Sequence, residues 1–483
     1  MKKHGENLTT PHLDEEITNE ALRWVRNNQT LEIRKGEYQS PRISSEIPDC
    51  SMPLSGDTMK WCSGGCLYCF SYFFKANNPA IKNSTTGMEL TSVNPDKLIA
   101  ALSGNPIDSR GKMMHKLFYR RKFLLHIGGL ADCFDHFEVK NGVSYQITEA
   151  LGDLNYPTLF STKFATTLLT KKYTNLFAKY AGQNNFAFQF SIVTNDEELA
   201  RKVEVGIPSP KLRLKAMKTL SEMGYWTILR LRPYIIGVSD ESIDDLLNAA
   251  LEAGANAISM EFYAMDSRAS EDAKKRYDWL GKMVGTTNLM EYYRKLSPSE
   301  RGGYLRLNRL VKEVHVKKVY KFCMDNGLEF GCSDPDYKEL TTTGSCCGMP
   351  DKYPKNPLME NWTRQQLTYH LKEARRLYHT TGQLALFKFD EIYRDEPYFD
   401  ERHLSHDHIS ETGLCAADRE HLTYRKILRN YWNNLRSYAN PRNYFHGKIA
   451  PCGMDEAQNL IYQYVPMPYE DRWKAEGIEL GGK

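Results

Sequence analysis

Apolar residues in the first half of this chain follow two alternating rhythms. Short unbroken runs occupy positions 123–127, 158–162, 186–192, 226–231 and 257–262, each the length of a strand buried on both faces of a parallel sheet. Between them, apolar residues recur every three or four positions, the period of a helix with one buried stripe. Caps punctuate these helices. Asn94 and Pro95 open one that Gly104 closes, and Ser209 and Pro210 open another carrying Leu212, Ala216, Leu220 and Met223 before Gly224. Ser239 or Asp240 caps a third, with Ile243, Leu246, Leu247, Ala250 and Leu251 ahead of Gly254. Strand and helix in alternation, joined by right-handed crossovers, build a parallel sheet. The pattern predicts an α/β fold, a partial (β/α)6 TIM-type barrel over residues 55–265.

Outside that window the rhythm changes. Residues 1–54 read as an N-terminal extension, with one short helix around Ala21, Leu22, Trp24 and Val25 and a Ser/Pro-rich linker at 40–55. Residues 266–483 read as a C-terminal domain, mixed or mainly helical, with a charged helical stretch at 266–310 and a helix at 312–326 ended by Gly327. The remainder is rich in Tyr, Pro and His.

Composition narrows the setting. The 483 residues are 41% hydrophobic and 26% charged, with a net charge of +4 and no run of 18 apolar residues, so no membrane-spanning helix is expected. The polar start (MKKHGENLTTPHLDEE) lacks the apolar core of a secretion signal. Eleven Cys, three of them in one loop, point to metal binding in a reducing compartment, hence a cytoplasmic protein. The charge balance names no partner. The basic stretch Arg110, Lys112, Lys116, Arg120, Arg121 and Lys122 reads either as a phosphate contact or as a solvated face.

The chemistry concentrates in that loop, where Cys62, Cys66 and Cys69 stand at C-x3-C-x2-C spacing behind the apolar lead-in from Met59 to Trp61. No fourth Cys or His follows within the next dozen residues, whereas a structural zinc takes four protein ligands. Three thiolates hold three irons of a four-iron cluster and leave the fourth open to a substrate. Gly64 and Gly65 let the backbone fold closely there. A zinc site with a distant fourth ligand is the alternative.

This three-Cys loop resembles the signature of the radical SAM superfamily, and the resemblance runs further. The segments HIGGLADCFDHFE (126–138), STK (161–163), SIVTNDEELARKVEVGIPSPKLRLKAMKTLSEMGY (191–225) and LRLRPYIIGVSDESIDDLLNAALEAGA (229–255) are similar to the spore photoproduct lyase-like branch, which includes DNA repair photolyase-like proteins. The similarity covers residues 56–262, about two fifths of the chain. It implies that Cys62, Cys66 and Cys69 ligate a [4Fe–4S] cluster and that Tyr68 packs against the adenine of S-adenosylmethionine (SAM). Gly128, Gly129 and Asp132 would contact the methionine moiety, and Lys163, Ser191, Glu204 and Arg213 would complete the SAM site. Arg213 suits the SAM carboxylate as a bidentate fork. Plainer readings stand beside these: Lys163 and Ser191 closing hydrogen bonds at strand ends, and Glu204 with Arg213 forming a structural ion pair.

The implied activity is reductive cleavage of SAM to methionine and a 5′-deoxyadenosyl radical, which takes a hydrogen atom from a substrate. A flavodoxin or ferredoxin would donate the electron. The substrate implied is a nucleic acid or nucleotide; the alternative is a peptide or small metabolite held near an auxiliary cluster. One departure stands out. In spore photoproduct lyase a hydrogen-donating cysteine occupies the position aligned with Gly129, which leaves Cys133 as the candidate catalytic thiol here, or else as an inert buried one.

The C-terminal half adds Cys332, Cys346, Cys347, Cys415 and Cys452 in loops bounded by Gly or Pro, which suit a second Fe–S cluster, a zinc site or no metal at all. Cys50 adds a weaker candidate ligand. His403, His406 and His408 read as a polar loop or a metal site, and Cys323 as core.

Overall fold

The computed structural model describes residues 33–35, 41–43, 49–350, 366–394 and 423–481, apart from short stretches at 51, 53, 61, 72–89, 270, 297–298 and 302. The expected N-terminal helix, Trp61, Cys415, His403, His406 and His408 lie outside the described residues.

The parallel part of the central sheet has seven strands: β1 (Leu54–Gly56), β2 (Leu125–Ile127), β3 (Thr158–Thr162), β4 (Phe186–Ser191), β5 (Trp226–Tyr234), β6 (Ala257–Phe262) and β7 (Glu329–Cys332). They hydrogen-bond in that order, all parallel, and Arg42–Ile43 pairs antiparallel with β1 at the edge. Each crossover carries a helix, including Pro95–Leu102, Val143–Asp153, Lys171–Tyr180, Pro210–Glu222, Ile243–Glu252 and Arg309–Asp325. The caps are those the sequence offers: Asn94 accepts from the Lys97 N–H, and Ser209 from that of Leu212.

Strands β2 to β6 lie where the apolar runs predict them. Two strands do not. β1 falls in the segment expected to be a linker, because three residues carry no periodicity and its burial comes from pairing with β2. β7 extends the sheet beyond residue 265, with Glu329 opposite Ala257. Its sequence, Glu-Phe-Gly-Cys, is too mixed to read as a buried strand.

The two faces of the sheet differ in chemistry. On the helix side, Phe160 stacks on Phe188 at 5.4 Å and Phe177 meets Phe188 edge-on at 4.9 Å. Each such pair adds about 0.5–1.5 kcal/mol beyond its buried area. The other side is polar. His126 meets the Ser161 hydroxyl at 2.7 Å, Ser161 donates to Gln189 at 2.6 Å, and Gln189 donates to the Cys347 carbonyl at 2.7 Å.

The segment from Ser345 to Gly348 runs along this polar face. Ser259 on β6 donates to the Cys346 carbonyl and Trp226 on β5 to that of Gly348. On β7 a Cβ at Gly331 would come within 2.7 Å of the Cys346 carbonyl oxygen, so that strand needs a glycine. Four neighbouring strands touching one short segment means the sheet curves around it: an open, partial barrel with a filled interior.

Beyond β7, a small antiparallel sheet joins Leu386–Phe387, Leu460–Tyr464 and Ile449–Met454. Helices Leu367–Thr381, Tyr424–Asn433 and Pro468–Ala475 accompany it. Buried Asp49 ties the segment before β1 to the region after β7 by accepting from the Thr368 N–H at 2.8 Å and from Lys338 at 3.1 Å. No described helix is long and apolar enough to cross a membrane.

Candidate functional site

Side chains at the carboxyl ends of parallel strands converge because the loops there meet over one opening. In this molecule a cavity of about 440 Å³ opens at that end, and Cys62, Cys66 and Cys69 all line it. Their loop is pinned from three directions. Gly65–Cys66 forms a two-residue ladder with Glu204–Val205, Ser63 donates through its N–H and hydroxyl to Asp135, and Arg276 donates to the Cys66 carbonyl at 3.0 Å. Any side chain at Gly64 would run into Ile207, whose Cδ1 lies 2.5 Å from the Cβ position.

Cys62 and Cys66 are desolvated and close enough to their neighbouring thiols to be repelled by them as thiolates. Burial and then Cys69, Asp135 and Cys66 push the Cys62 thiol well up, and burial pushes Cys66 up to about 12. Such thiols lose their protons to a cationic metal centre rather than to water. Among the described residues no three His, Cys, Asp or Glu side chains gather tightly enough to hold a single ion. The donor set fits a cluster, with one thiolate per iron, better than one tetrahedral ion with a fourth ligand.

The strand ends fill in the next ring. Gly128, Gly129, Asp132, Lys163 and Ser191 line the same cavity. Gly128 has a φ of +94°, and a Cβ there would lie 2.2 Å from the Ser161 carbonyl oxygen, so only glycine fits. Asp57, at the end of β1, holds the following turn by accepting from the N–H groups of Leu130 and Ala131 at 2.7 and 2.9 Å. Asp132 accepts from the Lys163 N–H at 2.6 Å and the Thr162 hydroxyl at 2.8 Å, which aims its carboxylate across the β2–β3 gap.

Tyr68, Lys163, Glu204 and Arg213 form one buried network. Lys163 donates to both the Tyr68 hydroxyl and Glu204 at 3.0 Å, and Tyr68 donates to Glu204. Arg213 bonds Glu204 at 2.5 Å and the Ser191 carbonyl at 2.7 Å. Burial alone would raise Glu204, but Arg213 and Lys163 overcome it and hold the carboxyl down at about 2. Neither Glu204 nor Arg213 lines the cavity. Arg213, anticipated as a fork for a carboxylate, has its guanidinium buried against Glu204 and the Ser191 carbonyl, away from the cavity. The pair's effect on the cavity is to fix Tyr68 and Lys163, which do line it.

Cys133 is also placed differently from the thiol expected at the reaction centre. It is fully buried, is absent from the cavity wall that takes in residues 128–132, and burial with Asp132 and Glu138 pushes its thiol well up. The i+1 position after Asp132 simply turns the other way.

Among the described residues the C-terminal thiols, like those of the loop, form no group of three that could hold a single metal ion. Cys332 is buried near the Asp334 carbonyl, Cys346 and Cys347 lie inside the barrel, and Cys452 is exposed on the hairpin strand Ile449–Met454. Within the adjacent pair, the hydrogen bond from Cys346 outweighs burial and, with Arg232, brings Cys347 down to about 7. Cys50 donates its N–H to Gln366. In the basic stretch, Arg110, Arg121 and Lys122 donate to the carbonyls of Pro41, Leu117 and Leu154, and none of the six basic residues lines the cavity.

Sequence reasoning missed the opposite wall: Arg230, Arg232, Glu261, Tyr304 and Arg306. The available signal was the alternation Leu229-Arg230-Leu231-Arg232 inside a buried strand, which sets two arginines on the interior side of β5.

No protein-family model and no curated protein matches the chain. Among solved structures, a spore photoproduct lyase variant with bound AdoMet and dinucleoside spore photoproduct is 14% identical, with a TM-score of 0.44, covering 68% of this chain and 87% of that one. Spore photoproduct lyase complexed with dinucleoside spore photoproduct gives the same identity and TM-score over 69% of this chain. SuiB of Streptococcus suis, bound to the precursor peptide SuiA, is 13% identical, with a TM-score of 0.35, over 69% of this chain and 56% of that one.

Proposed function

We propose that this protein is a radical SAM enzyme acting on a nucleic acid or nucleotide. The observation that carries the reading is the meeting, on one cavity, of the C-x3-C-x2-C thiols with Gly128, Asp132, Lys163 and Ser191 at the strand ends. When bound, a [4Fe–4S] cluster on Cys62, Cys66 and Cys69, with SAM at its open iron, would supply a 5′-deoxyadenosyl radical able to take a hydrogen atom from the substrate.

The chain's own part is positioning and shielding. Asp132, held by the Lys163 N–H and Thr162, keeps acceptor capacity toward the ammonium end of a bound amino acid moiety. Lys163 and Ser191 offer donors to its carboxylate, and the ring of Tyr68 gives a flat apolar face for a base. Phe164, Phe262 and Tyr263 line the same space and keep water from a reactive centre. An external flavodoxin or ferredoxin would provide the electron. Tyr304 and Arg306, with the guanidinium 5.3 Å from the ring centroid, favour a planar, negatively charged substrate over a neutral metabolite. Cys332, Cys346 and Cys347 are the described interior thiols that a second Fe–S cluster would draw on.

The test is direct. Anaerobically reconstituted full-length protein with dithionite should convert SAM to 5′-deoxyadenosine, and a fully iron-loaded sample that yields none overturns the reading. Binding of DNA or RNA that weakens steeply with salt would support the nucleic-acid assignment.

A further inference from the structure

The β5–β6 wall of the cavity carries more positive charge than it neutralises. Lys163 is paired with Glu204, and Arg232 grips Glu261 through Nε and Nη2 at 2.8 and 2.5 Å while its Nη1 lies 3.4 Å from the Cys347 sulfur. Arg230, two residues before Arg232 on β5, forms no ion pair among the described residues, and Glu261, which Arg232 holds, acts on it only through space. Arg230 donates to the Ser191 hydroxyl at 3.2 Å, and its Nε is sealed from solvent with no hydrogen-bond partner among the described residues. Burial and the neighbouring Arg232 bring even this guanidinium down to about 10. A desolvated cation beside a second cation, facing an open cavity, is stabilised further when an anion completes it. A planar fork with an unused edge suits a phosphate or carboxylate.

We propose that Arg230 anchors an anionic oxygen group, a phosphate or carboxylate, of the substrate. This rests on the reading of the cavity as a SAM site, in which Lys163 and Ser191 would serve the SAM carboxylate and the rest of the β5 side would be left to the second molecule.

The experiment is calorimetric titration of the reconstituted full chain with inorganic phosphate, with acetate in parallel, and separately with SAM. Wild-type protein should bind phosphate or acetate in a salt-sensitive manner. Arg230→Gln should weaken that binding at least tenfold while changing SAM affinity less than twofold. Unchanged anion binding in Arg230→Gln overturns the proposal. An equal loss of SAM affinity also overturns it and reassigns Arg230 to the SAM carboxylate. Wild-type protein that binds SAM but neither anion sinks the anion site alone, whereas binding of an anion without SAM keeps the site and sinks the radical SAM reading. Should Arg230→Gln fail to melt cooperatively, Arg230→Lys decides: it keeps the charge but loses the fork, and anion binding should fall severalfold with folding intact.

Discussion

The two walls of the cavity handle buried charge in opposite ways. On the cysteine-loop side, Glu204 is matched by Arg213 and Lys163, and its remaining capacity is taken by Tyr68. On the β5 side, Arg232 has its Glu261, but Arg230 forms no ion pair among the described residues. A self-satisfied network holds its shape before any ligand arrives, whereas an unmatched cation is completed by one. On the proposed reading, the first wall would position a cofactor and the second would select what comes next to it.

The largest effect that would break this contrast concerns the loop itself. Replacing Cys62, Cys66 and Cys69 with Ala should cut 5′-deoxyadenosine formation at least about a thousandfold and leave iron at background, since each thiolate holds one iron. Iron remaining in the triple variant would point to the interior thiols Cys332, Cys346 and Cys347. Next, Glu204→Gln should strand the Arg213 guanidinium and cost about 3–5 kcal/mol in urea unfolding. A loss under about 1 kcal/mol would mean that the first wall is not the self-satisfied one.

A third test uses pH. Burial, followed by the cations Arg230, Arg232 and Arg42, takes His126 from its ordinary 6.5 down to about 3. Between those values the unfolded chain binds a proton that the folded one refuses, so stability falls as pH drops from about 6.5 toward 3. Asp135, lifted by burial to about 7, acts with the opposite sign over much of this window. The readout is therefore the difference between wild type and His126→Gln, which should shrink with acidification and be flat above about pH 7. Cys133→Ala comes fourth, with a loss of about 1 kcal/mol from the small void and no change in SAM cleavage. A collapse of SAM cleavage would return Cys133 to the reaction centre. Smallest is Arg230→Gln, whose stability should stay within about 1 kcal/mol of wild type or rise, because it removes an uncompensated charge. A loss as large as that of Glu204→Gln would erase the difference between the walls.

Much of the fold was legible because buried parallel strands advertise themselves. The runs at 158–162 and 257–262 coincide with β3 and β6 residue for residue. β1 and β7 escaped because Leu-Ser-Gly and Glu-Phe-Gly-Cys are not apolar runs and owe their burial to the neighbour they pair with. The site divided along the same line. Cys62, Cys66 and Cys69 were visible because their ligating pattern is local, within eight residues. Arg230, Arg232, Glu261 and Arg306 were not, because they meet only when β5, β6 and the Tyr304–Arg306 strand of a separate sheet come together around one cavity.

By itself, then, the sequence determined the alternation of strand and helix, the three-thiol loop and the glycines that let backbone pass close, all set by spacing within a few residues. Only the tertiary structure decided which way each side chain faced. It turned Arg213 and Cys133 away from the cavity and Arg230 into it, and brought the Cys346–Cys347 segment inside the barrel. The physical reason is that orientation depends on sheet register and on the burial each position inherits from strands far away in the chain, and no local spacing encodes that.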